Sequence, residues 1–252
     1  MPRQARKKSK TGIYHVMLRG INRQTIFEDD EDCAKFIEEL RKSKEKSEFE
    51  FYAYCLMGNH IHLLMREGKE SISLTMQRLC SGFVYWYNRK YDRFGHLFQE
   101  RYKSEVVEDE AYLITVLRYI HQNPIKAGIT DSVEGYKWSS YHEYIHKESI
   151  INSKFILELF ASEKQTARKM FEKSMNEVTE DVCLDYEVRH RIVDEEIIKL
   201  IEDRYRVKKG YFHLLERTER DMILRNLKAV KGVSIRQLMR ITGVSKFMIE
   251  KA

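Results

Sequence analysis

The stretch Phe49-Glu50-Phe51-Tyr52-Ala53-Tyr54-Cys55-Leu56-Met57-Gly58-Asn59-His60-Ile61-His62-Leu63-Leu64-Met65 decides the fold. Phe49 to Leu56 is rich in aromatic residues, as a strand is; Gly58-Asn59 makes a turn, and His60 to Met65 returns as a second strand. Side chains alternate along a strand, so His60 and His62 share one face while Ile61 and Leu63 pack on the other. Two imidazoles side by side on a sheet face can hold one divalent cation and leave positions open for substrate oxygens. The alternative for so short a motif is a pair of hydrogen-bonded polar residues on a sheet surface.

Upstream of this hairpin, Gly12 to Leu18 reads as a strand, followed by the basic turn Arg19-Gly20-Ile21-Asn22-Arg23. Asp29 or Asp30 caps a helix to about Lys46, with Cys33, Phe36, Ile37 and Leu40 at helical spacing. Downstream come a helix from about Ser73 to Lys90 and one strand or two short ones within Leu97 to Val107. A helix capped by Asp109 follows and is expected to end just before Pro124. Strand, helix, strand, strand, helix, strand, helix is the order of an α+β domain, a ferredoxin-like antiparallel sheet with packed helices.

On the last of these helices Leu113, Val116, Leu117 and Ile120 form the core stripe. Tyr119 and Asn123, four residues apart, share one side. An amide oxygen from Asn123 can complete a metal site with Tyr119 within reach; otherwise Tyr119 is a core-edge tyrosine, one of 15 tyrosines in the chain.

Four separated blocks carry a resemblance. They are Tyr14-His15-Val16 with Arg19-Gly20-x-Asn22-Arg23; Gly58-Asn59-His60-Ile61-His62; Leu97-Phe98-Gln99-x-Arg101-Tyr102-Lys103-Ser104; and Arg118-Tyr119-Ile120-His121-x-Asn123-Pro124-Ile125-Lys126-Ala127-Gly128. With Trp138-Ser139-Ser140-Tyr141 closing the set, residues 1–145 resemble the REP-associated tyrosine transposases, in the single-tyrosine branch of the HUH (histidine-hydrophobic-histidine) enzymes. The resemblance implies a metal-dependent transposase that cuts and rejoins single-stranded or hairpin DNA. It implies Tyr119 as nucleophile, forming a 5′-phosphotyrosine, with His60, His62 and Asn123 as ligands of Mg²⁺ or Mn²⁺. His121 projects elsewhere on the helix and reads as structural or as a DNA contact.

Beyond residue 145 the pattern is all helix. Residues 146–185 read as a helical linker, with Ser162 to Gln165 as a capping box, Ala167, Met170, Phe171, Met175 and Val178 at helical spacing, and an acidic stretch from Glu177 to Asp185. Residues 186–252 read as a helix-turn-helix domain, in which Ser234 to Ile241, Thr242-Gly243-Val244 and a helix opened by Ser245 suit duplex DNA or a protein partner.

The formal net charge of the 252 residues is +6, compatible with a polyanionic partner. Arg19, Arg23, Arg101 and Lys103, with Arg3 and Arg6 of the basic N-terminal arm, are candidate phosphate contacts; Arg236, Arg240 and Lys246 are candidates for a duplex. Between Phe83 and Lys103, aromatics interleaved with cations suit stacking of single-stranded bases, about half of them reading instead as core, Phe83 and Trp86 first. Four dispersed cysteines argue against a disulfide framework and for the cytosol, nucleoid-associated if DNA is the substrate. A membrane span is not expected, and a homodimer is compatible. Two competing readings are a domesticated DNA-binding regulator with vestigial cleavage, which the intact set of four site residues disfavours, and a replication or conjugation nickase, whose motif order differs.

Overall fold

The hairpin forms where its pattern puts it, as β2 (Glu50–Met57) and β3 (His60–Arg66), joined by Gly58-Asn59. In the computed structural model, which describes residues 6–179, 181–185, 192–208, 210–230 and 232–252, β3 pairs with β1 (Ile13–Arg19), and β1 with β4 (Lys103–Val107). Every pairing is antiparallel and the strand order is β2-β3-β1-β4. Helix α1 (Asp30–Ser47) links β1 to β2, α2 (Ile72–Lys90) links β3 to β4, and α3 (Glu110–Lys126) follows β4. This is the ferredoxin-like arrangement expected from the element order, with the two central strands buried along most of their length.

Local chemistry sets the helix ends. Asp29 and Asp32 form a reciprocal capping box at the start of α1, and Asp109 accepts from the Tyr112 amide at 2.7 Å to open α3; each such cap is worth about 1 kcal/mol. Helices α1 and α2 pack on one another through Phe36 and Phe83, whose ring centroids are 5.2 Å apart.

Three expectations change. Within Leu97 to Val107, Lys103–Val107 is strand; the Leu97–Arg101 stretch is irregular and meets the end of β1 through the isolated bridge of Gly20 with Phe98 and the bond from the Gln99 amide to the Arg19 carbonyl. Helix α3 runs through Pro124 to Lys126. The proline forfeits only the bond to the Ile120 carbonyl, close to the helix end, and burial of the helix against β2 offsets that loss. The segment 146–185 is no detached linker. After α4 (Tyr141–Ile145), its helices α5 (Ser153–Glu158) and α6 (Lys164–Asn176) share the core of the sheet domain through Ile156, Leu157, Ala167, Phe171 and Met175. Phe171 stacks on Tyr144 at 4.3 Å. Glu163, not Ser162, caps α6, and Met170 and Val178 of the expected stripe are exposed.

The chain divides into two compact units between Asp185 and Tyr186. The second holds α7 (Asp194–Tyr205), α8 (Arg217–Ala229), α9 (Ile235–Thr242) and α10 (Lys246–Lys251). Ile197, Ile201, Ile223, Leu224, Leu227, Leu238, Val244 and Ile249 form its core. Ser234 and Gln237 make a capping box on α9, Gly243 takes the left-handed conformation (φ 73°) that ends it, and Ser245 caps α10. Among the described residues no helix is long and apolar enough to cross a membrane.

Candidate active site

Three of the separated sequence blocks meet at the end of β1. The Gly20 amide donates to the Asn59 carbonyl (2.9 Å), Ile21 to Leu97 (2.9 Å) and Gln99 to Arg19 (2.8 Å). Asn22 and Arg23 both have positive φ, 52° and 62°, and a Cβ on Gly20 would lie 2.2 Å from the Gln24 carbonyl oxygen. Glycine at 20 is therefore a steric requirement of the turn that seats this corner against Gly58-Asn59.

Register then sets the face. Arg19 pairs with His60, Met17 with His62 and Lys103, and His15 with Leu64 and Glu105. Directly paired residues point to the same side, so His15, Arg19, His60, His62, Lys103 and Glu105 occupy one face of the sheet. The His60 and His62 rings lie 5.1 Å apart. Helix α3 covers this face and brings Tyr119, whose ring is 5.7 Å from His62 and 6.0 Å from His15. The Lys126 ammonium sits 4.6 Å from the Tyr119 ring centroid, a cation beside the phenol.

Each of these groups is tied down. His60 Nδ1 bonds Asn59 Oδ1 at 2.7 Å, and His62 Nδ1 bonds His15 Nε2 at 3.0 Å. The Tyr119 hydroxyl donates to Asp185 Oδ2 at 3.0 Å, and the ring is 6% exposed. Asn123 is buried and its Nδ2 donates to the Tyr119 carbonyl one turn back (2.9 Å), which lays the amide along its own helix. His121 turns away from the sheet histidines. Its Nε2 meets Ser140 Oγ at 2.8 Å among Tyr141, Tyr144 and Phe171, and this matches the structural reading of that residue.

Burial dominates the electrostatics. It pushes the His60 imidazole down to about 4 and His62 well below its ordinary range, so both rings are neutral with lone pairs available to a cation. Burial, with the Asp185 carboxylate adding, holds the Tyr119 phenol well above its usual range. His62 Nε2 is buried with no hydrogen-bond partner, a costly state for an imidazole nitrogen that a bound ion would relieve. Among the described residues no group of three or more histidine, cysteine or acidic side chains forms a cage. A cation here would take imidazole nitrogens and complete its shell with amide, phosphate or water oxygens.

The expected phosphate contacts divide. Arg19 and Lys103 lie on the histidine face, and Arg23 and Arg101 are exposed. Arg3 lies outside the described residues. Arg6 stacks on Tyr102 (3.8 Å to the ring centroid) and donates to its carbonyl. In the second unit Arg236 and Lys246 are exposed, but Arg240 forms two bonds to Asp194, at 2.6 and 2.7 Å, and is committed to α7. Of the interleaved aromatics, Phe83 is core, as its spacing suggests, and Phe94 is 94% exposed.

Sequence reasoning gave no role to His15, Glu105 or Asp185. Strand alternation places His15 two residues from Met17, the partner of His62, and in principle reveals it. Nothing local marks Asp185, which meets Tyr119 across 66 positions.

Residues 8–123 match the family model described as transposase, IS200 like. The chain is 27% identical over 125 residues to a protein of Haemophilus influenzae described as a REP-associated tyrosine transposase, covering 45% of this chain and 71% of that one. Its fold is similar to a REP-associated tyrosine transposase solved bound to a REP hairpin (TM-score 0.51, 19% identity, 57% of this chain and 86% of that one). This domain, with its antiparallel sheet and covering helix, is thus similar to the IS200-like transposases and to a relative described as a REP-associated tyrosine transposase.

Proposed function

We propose that the protein cuts and rejoins single-stranded DNA at a hairpin-flanked site, with Tyr119 as the nucleophile. The observation that carries this reading is the Tyr119 ring 5.7 Å from His62, in a chain whose His60 and His62 rings are themselves paired at 5.1 Å. A hairpin substrate is supported by the DNA bound to the structural relative. Phenol and imidazoles come from one chain, which supports action in cis.

His60 and His62, with the amide oxygen of Asn123 as third ligand, would hold Mg²⁺ or Mn²⁺. When bound, the ion polarises the scissile phosphate and offsets charge in the transition state. The Tyr119 oxygen loses its proton and forms a bond to phosphorus as the P–O3′ bond breaks. The upstream strand leaves with a free 3′-hydroxyl, and the downstream strand stays on Tyr119 through its 5′-phosphate. Attack by another 3′-hydroxyl reverses the step and joins strands without a nucleotide cofactor. Arg19 and Lys103, on the same sheet face, are suited to hold the flanking phosphates, and Phe94 to stack a base. The second unit, with exposed Arg236 and Lys246, would engage duplex DNA beside the cut. Such a substrate fits a cytoplasmic, nucleoid-associated enzyme.

Incubation with Mn²⁺ and a single-stranded oligonucleotide carrying a hairpin from the repeats flanking the gene tests this. Wild type should yield a denaturant-resistant adduct, and Tyr119→Phe none. An adduct in the Phe variant removes Tyr119 from the role; cleavage unchanged by His60→Ala with His62→Ala removes the metal assignment.

A further inference from the structure

We infer that His15 and Glu105 form a relay behind His62 that fixes its tautomer and aims its Nε2 lone pair into the active site, making His15 a positioning residue for the metal. The inference rests on the metal reading above and deepens it.

The register alone aligns the three groups. Glu105 stands directly opposite His15 across β1 and β4, and His62 is diagonal to His15 across β1 and β3. His15 is wholly buried in mid-sheet, where an aliphatic residue would otherwise be expected. Its Nε2 lies 3.0 Å from His62 Nδ1 and its Nδ1 lies 3.9 Å from Glu105 Oε2. The two rings are near-parallel, 26° apart, with centroids at 5.2 Å.

A single proton lies between the two imidazoles, and its owner sets every other proton in the row. If His15 Nε2 carried it, a neutral His15 would turn a bare Nδ1 lone pair toward a carboxylate, and His62 would hold N–H at Nε2, pointing into the site. If His62 Nδ1 carries it, His15 presents N–H to Glu105, and His62 Nε2 is a lone pair. The carboxylate favours the second arrangement on electrostatic grounds. The 3.9 Å separation is too long for a direct hydrogen bond, so this bias acts through charge. Glu105 is itself held in place by the Leu184 amide, 3.0 Å from the same Oε2. His62 Nε2 has no hydrogen-bond partner, so in this arrangement its lone pair is left for a ligand.

Long-range ¹H–¹⁵N spectra of the full, metal-free protein test the tautomer directly. His62 is expected with Nδ1 protonated and Nε2 bare, a distribution that shifts toward Nε2–H in His15→Phe. Mn²⁺ affinity, read from the free-ion EPR signal, should fall about 10- to 100-fold in His15→Phe. His15→Gln, whose amide oxygen can accept from Nδ1–H, should lie closer to wild type, and Glu105→Gln should show a smaller loss than His15→Phe. Circular dichroism and thermal unfolding in chelator report whether each variant folds; the wild-type tautomer needs no variant. An Nε2–H tautomer of His62 in the wild type, or unchanged Mn²⁺ affinity in a folded His15→Phe, overturns the relay. If His62→Ala abolishes Mn²⁺ binding while His15→Phe leaves it intact, only the relay falls. If His62→Ala binds Mn²⁺ like wild type, the metal reading falls and the relay with it.

Discussion

The hydroxyl of Tyr119 is held by the carboxylate of Asp185, 3.0 Å away, at the end of a strap laced along α3. Arg118 binds Asp181 at 2.7 Å, Gln122 donates to the Met175 and Glu177 carbonyls at 2.9 and 2.7 Å, and Lys126 reaches the Asp181 carbonyl at 3.2 Å. Four side chains of α3 thus hold Met175, Glu177, Asp181 and Asp185 beside Tyr119. A phosphodiester must come within bonding distance of an oxygen that is now buried and paired with a carboxylate, and two anions repel there. If Tyr119 is the nucleophile, as proposed above, the strap must move before it can attack.

Asp185→Ala is therefore expected to speed formation of the covalent adduct. A hydrogen bond to a charged group is worth roughly 1.5–3 kcal/mol, so a rate limited by strap release should rise about tenfold or more. Single-turnover adduct formation with Mn²⁺ and a hairpin oligonucleotide measures it. A slower variant would mean instead that the carboxylate takes the phenol proton during attack.

Much of this site was legible because its parts are local or periodic. Alternation put His60 and His62 on one face, and the four-residue interval put Asn123 on the side of Tyr119. The separated motif blocks carried the resemblance, and the corner that Gly20, Asn59 and Leu97 form through backbone bonds shows why they go together. What escaped depends on pairings over long separations. His15 became visible only once β1 was set between β3 and β4. The strap looked like a linker because an acidic, poorly amphipathic run carries no sign of the arginine it will meet. Proline misled for a related reason, since tertiary packing of α3 outweighs one lost backbone bond.

Ser140 explains why Trp138-Ser139-Ser140-Tyr141 belongs to the motif set. Its Oγ accepts from the Tyr54 amide at 2.9 Å and meets His121 Nε2 at 2.8 Å, tying the block to both β2 and α3. Ser140→Ala strands a buried backbone N–H and a buried imidazole nitrogen. The expected loss is about 1–3 kcal/mol in urea unfolding, with the fold retained. No change in midpoint would show that water or a neighbouring group replaces the hydroxyl.

Acid should weaken the contact between α1 and α2. The Arg78 guanidinium, then Ser47, hold the Glu70 carboxyl at about 2, with bonds of 2.5 and 2.8 Å from Arg78. A carboxyl with a depressed folded value binds its proton more readily in the unfolded chain. Its stabilising contribution is full above about 4.5 and is lost as pH falls through about 2. Glu70→Gln should lower the melting temperature at neutral pH and flatten its decline between those limits. Parallel curves for the two proteins would assign the acid loss to other groups.

The arginines of the second unit should separate by function. Arg236 and Lys246 are exposed, and Lys246 makes an i,i+4 pair with Glu250 at 3.4 Å. Arg240 instead closes two hydrogen bonds on Asp194, on the first turn of α7, and ties α9 to that helix. If the unit binds duplex DNA through α9 and α10, replacing Arg236 or Lys246 by Ala should reduce the slope of log affinity against log salt by about one each. Arg240→Ala should leave that slope near wild type and lower the thermal stability of the unit, since it removes a tether rather than a phosphate contact. Fluorescence anisotropy across a salt series, paired with thermal unfolding, reads both effects. A full unit of slope lost in Arg240→Ala, with stability unchanged, would show that Arg240 exchanges Asp194 for phosphate when DNA binds.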